Sequence, residues 1–302
     1  MSALTLNLYL VRHGETEANV DHRLYRTKSD HAIRLTKRGK QQATETGEFL
    51  AEHLRQERDK DPENFGRIKV WYSPYYRARE TARYILYPLG QIFEQNSVVT
   101  YSDEPFLFEQ KAGLFDGFEE HQYKDVLPRE ADDYEKHVRH HGRIYARSPM
   151  GDSRMDVVIR SKPFFGTILR DQQTKKINHV ISVNHGVTAR AITMGWMHYP
   201  PEWLEAEKNP GNGWVRYIHG HQTTGYVDEG YIHGQEGTHS PANGNAKTSG
   251  GSGRHLYAQT CASQCLSSSG CSATRSFFQT GSNLKKFSRS RPRAARPHPA
   301  RP

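Results

Sequence analysis

Cysteine is almost missing from this chain, and where it occurs matters. The 302 residues hold three, Cys261, Cys265 and Cys271, all near the C-terminus. An odd number without paired C-x-x-C spacing argues against a disulfide framework or a zinc site in the body. Long apolar runs are missing too: none approaches the roughly 20 residues that a membrane-spanning helix needs. The first apolar segment lacks a basic n-region and is too short for a signal peptide. The expectation is a cytoplasmic body with no membrane partner.

An excess of one charge is also lacking across most of the chain, although the formal net charge is +9. Ten of the 42 Lys/Arg and one of the 33 Asp/Glu lie from Gln235 onward, so the first 234 residues hold 32 of each sign. The body is neutral, which speaks against nucleic acid as its partner. Residues 235–302 are Gly/Ser-rich, then Arg/Pro-rich, with few aliphatic residues, the composition of a disordered tail. Such an arm would touch nucleic acid or an acidic surface. The preferred reading is an extension without function, such as the product of a shifted reading frame. The domain is thus expected over residues 1–234; nothing in its patterning specifies an oligomeric state.

What is there begins with Leu8-Tyr9-Leu10-Val11, a short apolar run that reads as a buried strand. It stops abruptly at Arg12-His13-Gly14, and in open α/β sheets such a break at a strand's carboxyl end faces a ligand crevice. Residues 20–34 are polar and read as a loop, with Arg23, Arg26, Lys28 and Arg34 more simply solvated than engaged. Thr36 offers an N-cap, and apolar residues at helical spacing from Leu35 to Leu54 predict a long helix to about Arg58. Gly39 would let that helix approach the sheet. A strand over Ile68 to Tyr72 leads to Ser73 as cap and Pro74 as first residue of a helix to about Tyr87. Arg77 falls in its first turn, its side chain leaning toward the edge that carries His13, while Arg79 points away.

Further strands are expected near Val98 to Tyr101, over His179 to Val183, over Trp214 to Ile218 as a sheet edge, and near Gly225 to Ile232. A helix from about residue 151 to Arg170 precedes the second of these. The His179 strand ends in Asn184-His185-Gly186 before a helix to Trp196, repeating the strand, histidine, glycine, helix order of the opening. Between Pro105 and Gly117, Glu109 stands among apolar residues, a setting suited to a general acid near neutrality. Asp103, Glu104, Asp116, Glu119 and Glu120 are its rivals. His137 and His141, spaced i and i+4, lack the glutamate of a metalloprotease pair and read as a solvated helix face.

Leu-Val-Arg-His-Gly-Glu-Thr-Glu-Ala-Asn, Ser-Pro-x-x-Arg-Ala-x-x-Thr-Ala, and Leu-x-Glu-x-x-x-Gly together resemble the motifs of the histidine phosphatase superfamily, in its phosphoglycerate mutase-like branch. The resemblance covers about residues 6–234. It implies an α/β/α sandwich around a mostly parallel sheet, with a substrate-selecting lid at about residues 118–150. It further implies His13 as phosphoryl acceptor, Glu109 as proton donor, and Arg12, Asn19, Arg77 and His185 at the phosphate, with Asn19 also able to hold the loop. No metal and no cofactor is required, because cations already supply the charge. Asn184 and Asp152 depart from the serine and glutamate more usual there. The activity implied is hydrolysis of a small phosphorylated metabolite. The runner-up is a mutase-type phosphotransferase, which would need extra cations such as Arg129, Lys136, Arg139 and Arg143; the third reading is a silent phospholigand binder.

Overall fold

Alternation along the first strand sets the layers. Leu6, Leu8 and Leu10 pack to one face and Tyr9 and Val11 to the other, all nearly fully buried, as the two-residue repeat of an extended chain requires. The computed structural model describes residues 5–94 and 98–234; the tail expected from residue 235 lies outside the described residues. Six strands, β1 (Leu6–Arg12), β2 (Arg67–Tyr72), β3 (Val99–Asp103), β4 (Ile177–Asn184), β5 (Val215–His221) and β6 (Gly225–His233), form one sheet in the order β3-β2-β4-β1-β5-β6. The pairs β3/β2, β2/β4 and β4/β1 are parallel, whereas β5 runs antiparallel to β1 and β6 antiparallel to β5. The sheet is mostly parallel, as expected. The strand beginning near Trp214 is no edge, however; its return partner β6 takes that place.

The described helices are α1 (Glu17–Val20), α2 (Leu24–Thr27), α3 (Lys37–Lys60), α4 (Tyr76–Ile92), α5 (Glu120–Val126), α6 (Pro128–His141), α7 (Arg154–Lys175), α8 (Gly186–Met197) and α9 (Pro201–Ala206). One face of the sheet meets Leu50 and Leu54 of α3 and Ala78, Ile85 and Leu89 of α4. The other meets Phe164 and Ile168 of α7 and Ala189, Ile192 and Trp196 of α8. Each such leucine or isoleucine removed from water contributes about 1.5–3 kcal/mol, so both layers are held by ordinary apolar burial. Together they make the expected three-layer α/β/α sandwich.

Local expectations fare unevenly. Thr36 does cap α3, its hydroxyl accepting from the Gly39 amide at 3.0 Å. Gly39 approaches a turn rather than the sheet: a Cβ there would stand 1.9 Å from the Glu15 carbonyl oxygen, and one on Gly14 would stand 2.2 Å from the Gly39 carbonyl oxygen. Helix α4 begins at Tyr76 with Tyr75 as its cap position, so Ser73 and Pro74 lie before it, and it runs through Pro88 to Ile92. Residues 20–34 contain α1's last residue, α2 and a 3-10 turn instead of plain loop. Their cations are engaged with protein: Arg23 pairs with Asp21, Lys28 with Glu17, Arg26 covers the Phe118 ring and Arg34 the Tyr76 ring. In the lid region α5 and α6 enclose a small core of Phe115, Tyr123 and Ala131.

Candidate active site

Three strands deliver three polar residues to one edge. In register, Arg12 of β1 lies beside Asn184 of β4, and Tyr72 of β2 beside Val183. The residues just past those strand ends, His13, Ser73 and His185, therefore emerge together at the carboxyl edge of the parallel strands, where open α/β sheets bind ligands. All three are buried.

His13 is 4% exposed, and its Nδ1 lies 2.8 Å from the Gly14 carbonyl oxygen. A carbonyl only accepts, so Nδ1 carries the proton and Nε2 keeps a free lone pair. Burial first, and then the positive charges of Arg77 and Arg12, hold the imidazole well below its usual range. It is neutral at pH 7. Its ring meets that of His185 edge-on at 5.1 Å.

Arg77 is 1% exposed. Its Nε–H donates to His185 Nδ1 at 3.2 Å, and Nη1 donates to the Asp30 backbone and carboxylate oxygens at 2.8 and 2.7 Å. Because Nδ1 of His185 accepts, its Nε2 carries the proton, which is donated to the Ser73 hydroxyl 2.8 Å away. His185 is likewise kept neutral, by burial first and Arg77 second. The fold thus brings His185 to the site with both ring nitrogens engaged by protein. Arg12 donates through Nη1 to the Pro210 carbonyl, while among the described residues its buried Nε–H has no hydrogen-bond partner. Arg79 is exposed and points away.

The setting of Glu109 is not the apolar one expected. Its carboxylate accepts from the backbone amides of Val187 and Thr188 at 3.1 and 3.2 Å, from the Thr188 hydroxyl at 3.2 Å and from the Gln110 amide at 2.9 Å. It closes the first turn of α8, the helix that His185 heads, where a carboxylate suits both the open amides and the helix dipole. Asp152 holds the same loop, pairing with Arg160 at 2.8 Å and accepting from the Lys111 amide, while Arg160 donates to the Phe108 carbonyl. Asn19 serves the turn: it completes a reciprocal cap with Thr16 and accepts from Asn212, which also donates to the His13 carbonyl. Of the rival carboxylates, Glu104 caps a 3-10 turn, whereas Asp116 lines the same cavity as Glu109.

Comparison with known proteins decides the family. Residues 8–227 match the model of the histidine phosphatase superfamily, branch 1. The chain belongs to that superfamily. Within it, the chain is 34% identical over 224 residues to phosphoglycerate mutase-like protein AT74 of Arabidopsis thaliana, a match that covers 71% of this chain and 65% of AT74. It is 26% identical over 282 residues to the broad-range acid phosphatase DET1 of Saccharomyces cerevisiae, covering 69% of this chain and 83% of that one. A mycobacterial glucosyl-3-phosphoglycerate phosphatase shares the fold, with TM-score 0.56 and 21% identity over 74% of this chain and 97% of its own.

Several residues at this site carry no signal of their own in the sequence. Ser73 passed for a helix cap, and Asp30 lay in a polar stretch with no pattern. Thr81 accepts from the Gly14 amide at 3.1 Å and ties the histidine turn to α4. The turn Asn209 to Gly213 supplies the Pro210 carbonyl for Arg12 and the Asn212 amide for His13. Arg77 and Glu109 line a cavity of about 360 Å³ to which the lid contributes Phe118, Tyr123, Tyr134 and Arg143. His137 and His141 are edge-on at 5.6 Å, and among the described residues no group of three His, Cys, Asp or Glu could hold a metal ion. No described helix is long and apolar enough to cross a membrane.

Proposed function

We propose that this chain is a phosphomonoesterase that works through a phosphohistidine on His13. The observation that carries the reading is the fixed tautomer of a neutral, buried imidazole beside two arginines. In this scheme Arg12 and Arg77 neutralise the oxygens of a bound phosphate monoester, charge that would otherwise repel any nucleophile. Nε2 of His13 attacks phosphorus in line, and the bond to the ester oxygen breaks. Glu109 gives its proton to the departing alkoxide, then as carboxylate takes one from water, which attacks the phosphohistidine and releases inorganic phosphate. His185 holds Arg77 in plane through Nδ1, and contact with phosphate would exchange its bond to Ser73. Asn19 keeps the turn in shape.

The reading of hydrolysis over transfer rests on where the extra cations lie. A phosphoglycerate needs a cation for its carboxylate. Lys136 is paired with Asp132 and Asp133, Arg139 with Glu135, and of the four candidates Arg143 alone lines the cavity. The acid phosphatase relative agrees with hydrolysis, and the name of the Arabidopsis relative keeps transfer as the alternative. The partner is then a small phosphorylated metabolite met in the aqueous interior of the cell. Wild-type protein given 4-nitrophenyl phosphate and, separately, 3-phosphoglycerate tests this: release of inorganic phosphate supports it, whereas isomerised phosphoglycerate with little free phosphate, or binding without turnover, overturns it.

A further inference from the structure

Beyond Arg77 and Glu109 the cavity of about 360 Å³ changes character, and its size is that of an ordinary small-molecule pocket. Part of its wall is aromatic: Phe118, Tyr123 and Tyr134 come from the lid, Phe115 from the 3-10 turn just before it, and Tyr25 from α2. The rings brace one another. Phe115 and Tyr123 stack at 4.1 Å, Tyr134 meets Phe115 edge-on at 5.6 Å, and the Arg26 guanidinium covers one side of Phe118 at 4.3 Å. A wall fixed in this way needs little reordering when a ligand arrives.

Its charge is equally uneven. Asp30, Glu109 and Asp116 line the cavity against two arginines, and Arg77 is already paired with Asp30. The part of a substrate that lies beyond the phosphate therefore meets carboxyl groups and rings, with Arg143 as the second arginine of the lining. An anionic leaving group, such as a glycerate, is poorly served there; a neutral planar ring is well served, since aromatic pairs gain from stacking and edge contacts beyond simple burial.

We infer that the lid selects phosphate monoesters whose leaving group carries a neutral planar ring, an arene or a nucleoside, over sugar phosphates and phosphoglycerates. The inference rests on the phosphomonoesterase reading and names its substrate class. Two substrate pairs isolate the ring from the reactivity of the leaving alcohol: adenosine 5′-monophosphate against ribose 5-phosphate, and 2-phenylethyl phosphate against butyl phosphate. Expected is a kcat/KM ratio of about tenfold or more in favour of the ring, the size of one good aromatic contact. A preference in both pairs supports the inference, and a preference in one alone supports it while naming the source as nucleoside or arene.

Ratios near one in both pairs overturn it and leave the phosphatase reading standing if 4-nitrophenyl phosphate is hydrolysed. Protein inert toward all of these overturns both. In Tyr134→Leu and Phe118→Leu the ratio falls toward one. A ratio unmoved in both variants overturns the assignment of the wall.

Discussion

Glu109→Gln separates the proposed chemistry from the architecture, because the acid role needs a protonated carboxyl group whereas closing α8 needs only its acceptor oxygens. Glutamine keeps a carbonyl oxygen for one of the amides at the start of α8, but sets an NH2 against the other donors that now converge on Glu109. Losing a satisfied acceptor costs roughly 1–3 kcal/mol of stability, which a thermal or chemical melt reads directly. The kinetic loss is of another size. General acid catalysis contributes about 10²–10⁴-fold, equivalent to about 3–5 kcal/mol of barrier, and it is felt only when the leaving oxygen needs a proton. Initial rates of phosphate release should thus fall by about 10²-fold or more for an alkyl phosphate and by less than about tenfold for 4-nitrophenyl phosphate, whose phenolate leaves unaided. Equal losses for the two esters would refute the acid role and reduce Glu109 to a helix cap.

Other outcomes follow from the same geometry. Ser73→Ala leaves the Nε2–H of His185 unpaired at a fully buried site, so stability should drop by about 1–3 kcal/mol and kcat should fall more than KM rises; an unchanged kcat would remove Ser73 from the account. Gly39→Ala places a methyl group against the Glu15 carbonyl, and melting with assay should find a loss of at least about 1–3 kcal/mol together with reduced turnover, because the displaced turn carries His13. His179, held near pKa 3 by burial first and His53 second, is neutral when folded and takes a proton below about pH 6.5 when unfolded. Its contribution is fully present above that pH and fades as pH falls toward 3. In denaturant titrations His179→Gln should flatten the slope of stability between pH 6 and 4 by about 1.4 kcal/mol per pH unit, and parallel slopes would contradict this.

The fold was legible wherever side chains repeat with the period of their element. β1 is a nearly continuous apolar run and β4 carries Val180, Ile181 and Val183 before its own polar break, and the histidine after each break lies at the same sheet edge. Arg77 was legible because a helix start after a strand leaves little choice of direction. The residues missed are those whose neighbours are distant in sequence. Glu109 sits among apolar residues in the chain, yet its carboxylate is surrounded by the amides of Val187 and Thr188, which α8 brings in. Ser73 has the local look of a cap because serine before proline favours one, while its actual partner is the histidine that heads α8, far along the chain. The strand from Val215 looked like an edge because β6 alternates between exposed and half-buried residues, a weak pattern, and only pairing fixes which strand is outermost.

The central claim is a phosphoryl group carried by one imidazole. Rapid acid-free quenching during turnover, followed by peptide mass spectrometry, measures it most directly. The account predicts an acid-labile phosphoryl group on the peptide containing His13, formed at least as fast as phosphate is released and lost in His13→Gln along with turnover. Turnover with no such intermediate, or with the phosphoryl group on another residue, would contradict it.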